Sequence, residues 1–170
     1  MIGIFLLMIS NCQRAVRVPI RSMKQFFARA MKEVRLPQTA ASVCFVTDAQ
    51  EAKWNAAYRG KNKPTDVLSF PIDDGARRKK GNVRAATHQP QGLKHSSFAS
   101  STSLTSYLGD IAIAPAVARR NARLYGRTLD QELRILILHG ILHLMGYDHE
   151  TDTGQMDRRE KRLRRSLRIA

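Results

Sequence analysis

One domain built of both helices and strands is the architecture this chain predicts, on three observations. Its 170 residues suit one domain, and 43% hydrophobic content is enough to give that domain a real core. Short runs rich in β-branched and aromatic residues alternate with longer stretches whose apolar residues recur at helical spacing. A polar segment from Asp73 to Tyr107 stands apart from both patterns.

The apolar opening Met1 to Ile9 has no basic residue before it and is too short to span a bilayer, so it reads as leading into a buried strand. Pro19 then opens an amphipathic helix, with Ile20, Met23, Phe26, Phe27, Ala30, Met31 and Val34 on one stripe, and Pro37 closes it. Ser42 to Thr47 reads as a buried strand. Asp48 and Glu51 form the expected capping box of a helix through Tyr58, in which Trp54 is a core residue. Further strands are expected from Thr65 to about Ile72 and from Leu108 to Ala114, after which Pro115 starts a helix ending near Gly126. Thr128 and Gln131 cap the next helix, Leu129 to Met145. Being apolar on nearly every side, it is expected to run through the centre of the domain. A basic helix from about Thr153 to Leu167 ends the chain, its arginines forming a solvated face.

The Asp73 to Tyr107 segment carries Arg77-Arg78-Lys79-Lys80, then scattered Gly, Pro and Gln, then a Ser/Thr-rich run. With little to bury, it is expected to be a long flexible loop in which His88 and His95 are incidental. Cys12 and Cys44 make no CxxC and no ladder of spacings, which excludes a disulfide framework or a cysteine zinc site on spacing and suits a reducing compartment. The expected location is the cytoplasm. The absence of acids before Glu33, beside Arg14, Arg17, Arg21, Lys24, Arg29 and Lys32, also fits a transit peptide to a mitochondrial or plastid matrix.

Chemistry concentrates in His139-Gly140-Ile141-Leu142-His143-Leu144-Met145-Gly146-Tyr147-Asp148-His149, which holds three of the five histidines. His139 and His143 stand four apart, so on a helix both rings share one face. Gly146 can take the left-handed conformation that ends a helix and lets His149 swing back to the same ion. Three imidazoles leave a fourth position open and suit zinc, although copper, nickel or iron also accept such ligands. Metalloproteases of the pattern His-Glu-x-x-His-x-x-Gly-x-x-His use the glutamate after the first ligand as general base. Here that position is Gly140, which argues against peptide hydrolysis.

Twenty-nine Lys and Arg against fourteen Asp and Glu give a formal charge of +15, spread along most of the chain. A polyanionic partner follows, nucleic acid being the commonest, because each phosphate neutralised by Lys or Arg releases condensed counterions. At 6% aromatic content, contacts to the backbone and to RNA shape are favoured over stacked bases.

The histidine run, together with Asn62-Lys63-Pro64-Thr65-Asp66-Val67-Leu68-Ser69-Phe70-Pro71 and Leu108-Gly109-Asp110-Ile111, closely resembles the YbeY family of bacterial rRNA maturation factors. Three blocks agree in order and spacing, and the likeness departs chiefly at the long Asp73 to Tyr107 segment. The resemblance implies an α+β fold with a small mixed sheet, and one zinc ion held by His139, His143 and His149. It implies a single-strand-specific endoribonuclease of rRNA processing and quality control, notably at the small-subunit 3′ end, working with ribosomal proteins or assembly factors and not with DNA or membrane. It also places Arg59 near the metal. A guanidinium there can hold two non-bridging oxygens as charge builds during phosphodiester cleavage, whether the nucleophile is water or the RNA 2′-hydroxyl. Asp66 can orient an imidazole or water or cap backbone. Asp148 is expected to hold the turn beside His149 in preference to transferring a proton, Asp110 to be structural, and Lys61 and Lys63 to be RNA-backbone contacts or merely exposed lysines. The alternative function is a non-catalytic ribosome-assembly protein whose zinc is structural.

Overall fold

A computed structural model describes residues 8–72 and 107–169. The expectations for residues 1–7, for the loop over residues 73–106 and for His88 and His95 lie outside the described residues. Four strands, β1 (Ile9–Asn11), β2 (Ala41–Phe45), β3 (Val67–Pro71) and β4 (Gly109–Ile113), form one sheet in the order β1-β2-β4-β3. β1 pairs parallel with β2 and β2 parallel with β4, whereas β3 runs antiparallel to β4. The small mixed sheet implied by the resemblance is therefore present. Among the described residues five α-helices accompany it: α1 (Ile20–Glu33), α2 (Asp48–Arg59), α3 (Pro115–Leu124), α4 (Leu129–Leu144) and α5 (Gln155–Ser166).

Strand alternation divides the core. Ile9, Val43, Phe45, Ile111 and Ile113 point to one face, where α1 contributes Met23, Phe26, Phe27, Ala30 and Met31, and α4 contributes Leu133, Ile137, Leu138 and Ile141. Each large side chain removed from water in this way stabilises the fold by roughly 1.5–3 kcal/mol relative to leaving it exposed. The opposite face carries a smaller cluster of Val46, Trp54, Leu68 and Ala112 beneath α2. Phe70 meets Trp54 and Tyr58 edge-on there, at ring separations of 5.6 and 5.0 Å. Trp54 is a core residue, as its helical position indicates.

α4 is enclosed because every side of it is covered: by the sheet, by α1, by α3 and by α5. Its start is the expected capping box, in which the Gln131 N–H donates to Thr128 Oγ1 at 3.2 Å and the Thr128 N–H donates to Gln131 Oε1 at 2.8 Å. Gly140 lies against β4, where an added Cβ would stand 2.7 Å from Ile111 Cγ2. The position that holds the glutamate in metalloproteases is here pressed onto the sheet.

The start of α2 differs from expectation. Thr47, not Asp48, is the N-cap, its side chain accepting from the Gln50 N–H at 3.2 Å, and Glu51 turns inward instead of closing a capping box. Glu51 is fully buried, and neither carboxyl oxygen has a hydrogen-bond partner among the described residues. Burial, then the neighbouring Asp66 and Asp48 carboxylates, push its carboxyl from the ordinary 4.5 up to about 8. The folded chain thus keeps a proton that the unfolded chain releases above about pH 4.5, so this contribution to stability is complete below that pH and disappears as pH rises through about 8. Glu51→Gln is expected to remove that loss. Urea midpoints at pH 5 and pH 8 should fall apart in the parent and stay together in the variant, a difference on the order of a few kcal/mol.

Candidate metal centre

The last two turns of α4 and the loop after it bring His139, His143 and His149 together, with one ligand atom from each within 4.8 Å of the others. His139 Nε2 and His143 Nε2 are 3.1 Å apart. Tetrahedral bonds of about 2.0–2.1 Å set nitrogens roughly 3.3 Å apart, so this pair matches the span of two ligands on one ion. The third imidazole arrives by a defined turn. Gly146 is left-handed (φ +91°), its N–H donates to the His143 carbonyl at 2.9 Å, and the Tyr147 N–H donates to the Leu142 carbonyl at 3.1 Å. This paired closure of a helix end requires a positive φ at the glycine.

The turn is then fixed by Asp148. Its Oδ1 accepts from the Glu150 N–H at 3.0 Å and its Oδ2 from the Thr151 hydroxyl at 3.0 Å. The Glu150 backbone bond leads in holding this carboxyl below its ordinary range. Its hydrogen bonds therefore serve the loop that carries His149.

Electrostatics keep the imidazoles suited to binding a cation. Burial, then the neighbouring His139 and His149, lower His143 from 6.5 to about 4, so it is neutral at physiological pH with a lone pair available. Arg59 also contributes to that lowering, which places its charge beside the cluster. His139 uses its other nitrogen differently: Nδ1 is 2.9 Å from Glu160 Oε2. This contact fixes the ring orientation and leaves Nε2 for an ion. Burial opposes charge on Glu160, yet the His139 bond and Arg164 hold its carboxyl below the ordinary range. Arg164 grips the second carboxylate oxygen from one turn further along α5.

Arg59, the last residue of α2, donates from Nη2 to Glu150 Oε1 at 2.7 Å, beside His149. With Lys61, Lys63, Thr65 and Asp66 it also lines a pocket of about 260 Å³. Asp66 spends its oxygens on structure. Oδ1 accepts from the Val67 N–H at 3.0 Å and Oδ2 from Asn121 Nδ2 at 3.0 Å, tying the start of β3 to α3. Asp110 accepts from Ser42 and from the Tyr107 hydroxyl, 2.5 Å away. Glu150 and Glu160 escaped sequence reasoning. Glu160 stands 21 residues from its histidine on another helix, a spacing that carries no periodic signal.

The chain matches the family described as Endoribonuclease YbeY over residues 8–168. A curated protein of that name from Nautilia profundicola is 36% identical over 125 residues, covering 73% of this chain and 70% of the relative. Another from Moorella thermoacetica is 38% identical over 130 residues, covering 76% of this chain and 72% of the relative. A solution structure of a protein from Thermotoga maritima shares the fold with a TM-score of 0.55 at 23% identity, over 94% of this chain and 88% of that one. The family match spans both the sheet and the histidine turn, the curated relatives bear the same name, and this chain belongs to the YbeY endoribonuclease family.

Proposed function

We propose that this chain is a zinc-dependent endoribonuclease that cuts single-stranded RNA during maturation and quality control of ribosomal RNA, including the small-subunit 3′ end, alongside ribosomal proteins or assembly factors. The observation that carries the reading is the convergence of three imidazoles beside Arg59 in a chain of net charge +15 from an endoribonuclease family. His139, His143 and His149 would hold the ion. A zinc ion with three nitrogen ligands brings the pKa of a bound water to about 7. Arg59 supplies a planar fork for two non-bridging phosphate oxygens, and its exposed pairing with Glu150 can be exchanged for a phosphate. Lys61 and Lys63, in the adjoining pocket, extend the positive path along the RNA backbone. Among the described residues no helix is long and apolar enough to cross a membrane.

Cleavage of a single-stranded rRNA fragment tests this reading, with bound zinc measured on the same samples. Arg59→Ala is expected to retain its metal and lose about 10²–10³-fold in cleavage, the scale of one missing charge-stabilising group. Full zinc content and RNA binding without cutting in the parent protein would overturn the reading and leave an assembly protein with a structural metal.

A further inference from the structure

The two cysteines, 32 residues apart in sequence, meet at the sheet edge with their Sγ atoms 3.3 Å apart. β1 and β2 run parallel with Ser10 opposite Cys44, and the Cys12 N–H donates to the Phe45 carbonyl at 2.8 Å. Cys12, one residue beyond the end of β1, is therefore held diagonally across from Cys44 on the sheet face that α4 does not cover. Both thiols are free, Cys12 exposed and Cys44 half-buried. A disulfide requires a sulfur separation near 2.05 Å, so the two sulfurs must approach by about 1.2 Å, a movement that falls to Cys12, which is exposed and lies past the end of β1.

We propose that Cys12 and Cys44 form a dithiol modification site that closes to an intramolecular disulfide in the presence of a small-molecule disulfide of the glutathione class. The order of events follows from exposure. Burial, its largest cause, pushes the Cys44 thiol up to about 11, which leaves the accessible Cys12 as the group that meets the oxidant. The Cys12 thiolate attacks one sulfur of the small disulfide, forming a mixed disulfide and releasing one small thiolate. Cys44, giving up its proton, then attacks the Cys12 sulfur and expels the second small thiolate. Two protein thiols are oxidised to one disulfide as one small disulfide is reduced to two thiols. The new bond would staple the edge strand β1 to β2, on the opposite side of the sheet from the histidines.

The full-length protein incubated with oxidised glutathione tests this directly. Free thiols are expected to fall from two to none, with the loss of two hydrogens from the intact mass, no dimer, and reversal by dithiothreitol. Closing the 32-residue separation is expected to raise the melting temperature by about 5–10 °C, with metal content unchanged. Cys44→Ser should instead stop at one glutathionyl group on Cys12. Persistence of both thiols, a stable glutathionyl adduct on the parent protein, or disulfide-linked dimers would each overturn the proposal.

Discussion

His143→Ala is expected to empty the metal site and lower RNA cleavage more than about 100-fold, beyond the usual cost of losing a partner that merely supports a ligand. The scale follows from the placement of the ring. His143 shares one helical turn with His139, their Nε2 atoms 3.1 Å apart, and it is kept neutral by burial and by the adjacent imidazoles. Removing it leaves one helix-borne nitrogen and one on the turn, too few to compete with water for a divalent ion. Glu160→Gln provides the graded comparison. It keeps the shape and removes the charge opposite His139 Nδ1, so metal affinity should fall by about 10–100-fold while the fold persists. Metal competition with a chromophoric chelator, run alongside cleavage, measures both. Equal affinity in the Glu160→Gln variant and the parent would show that Arg164 and packing orient His139 without that carboxylate.

Gly109→Ala is expected to destabilise the fold by about 3 kcal/mol or more, through strain and overpacking together. Gly109 begins β4 opposite Pro71, with φ +143°, and a Cβ there would stand 2.1 Å from the Phe70 carbonyl oxygen. That oxygen belongs to the backbone of β3, so relief requires the two strands to separate. Gly140→Ala meets the Ile111 side chain, with Cγ2, Cδ1 and Cγ1 at 2.7, 2.9 and 3.0 Å from the added Cβ but no strand backbone among these nearest atoms, and should cost about 1–3 kcal/mol. Denaturant unfolding of the two variants in parallel should preserve that order.

The site was legible in the sequence where its geometry is local. A four-residue spacing on a helix and a glycine three residues later describe a shape that the chain executes within one turn, and Thr128 with Gln131 announces the helix that carries it. The fold was legible as elements but not as an arrangement. The strand order β1-β2-β4-β3 depends on which edges find each other across long separations, and only the family resemblance implied a mixed sheet. Asp48 and Glu51 show the limit of local pattern. Their spacing fits a capping box, yet Thr47 takes the cap and burial claims the glutamate. The Glu160 contact and the cysteine pair are likewise products of tertiary placement.

The turn at Gly146 also bears on how long an ion would be held. Two imidazoles ride on a helix locked into the core, whereas the third sits on an exposed turn held by Asp148 and by the Arg59–Glu150 pair. An incoming ion would therefore find two nitrogens whose spacing is set by the core and a third whose place depends on its turn. The residence time of the ion becomes a property of that short turn: loosening Asp148 should hasten release to a chelator far more than it changes the rate of capture.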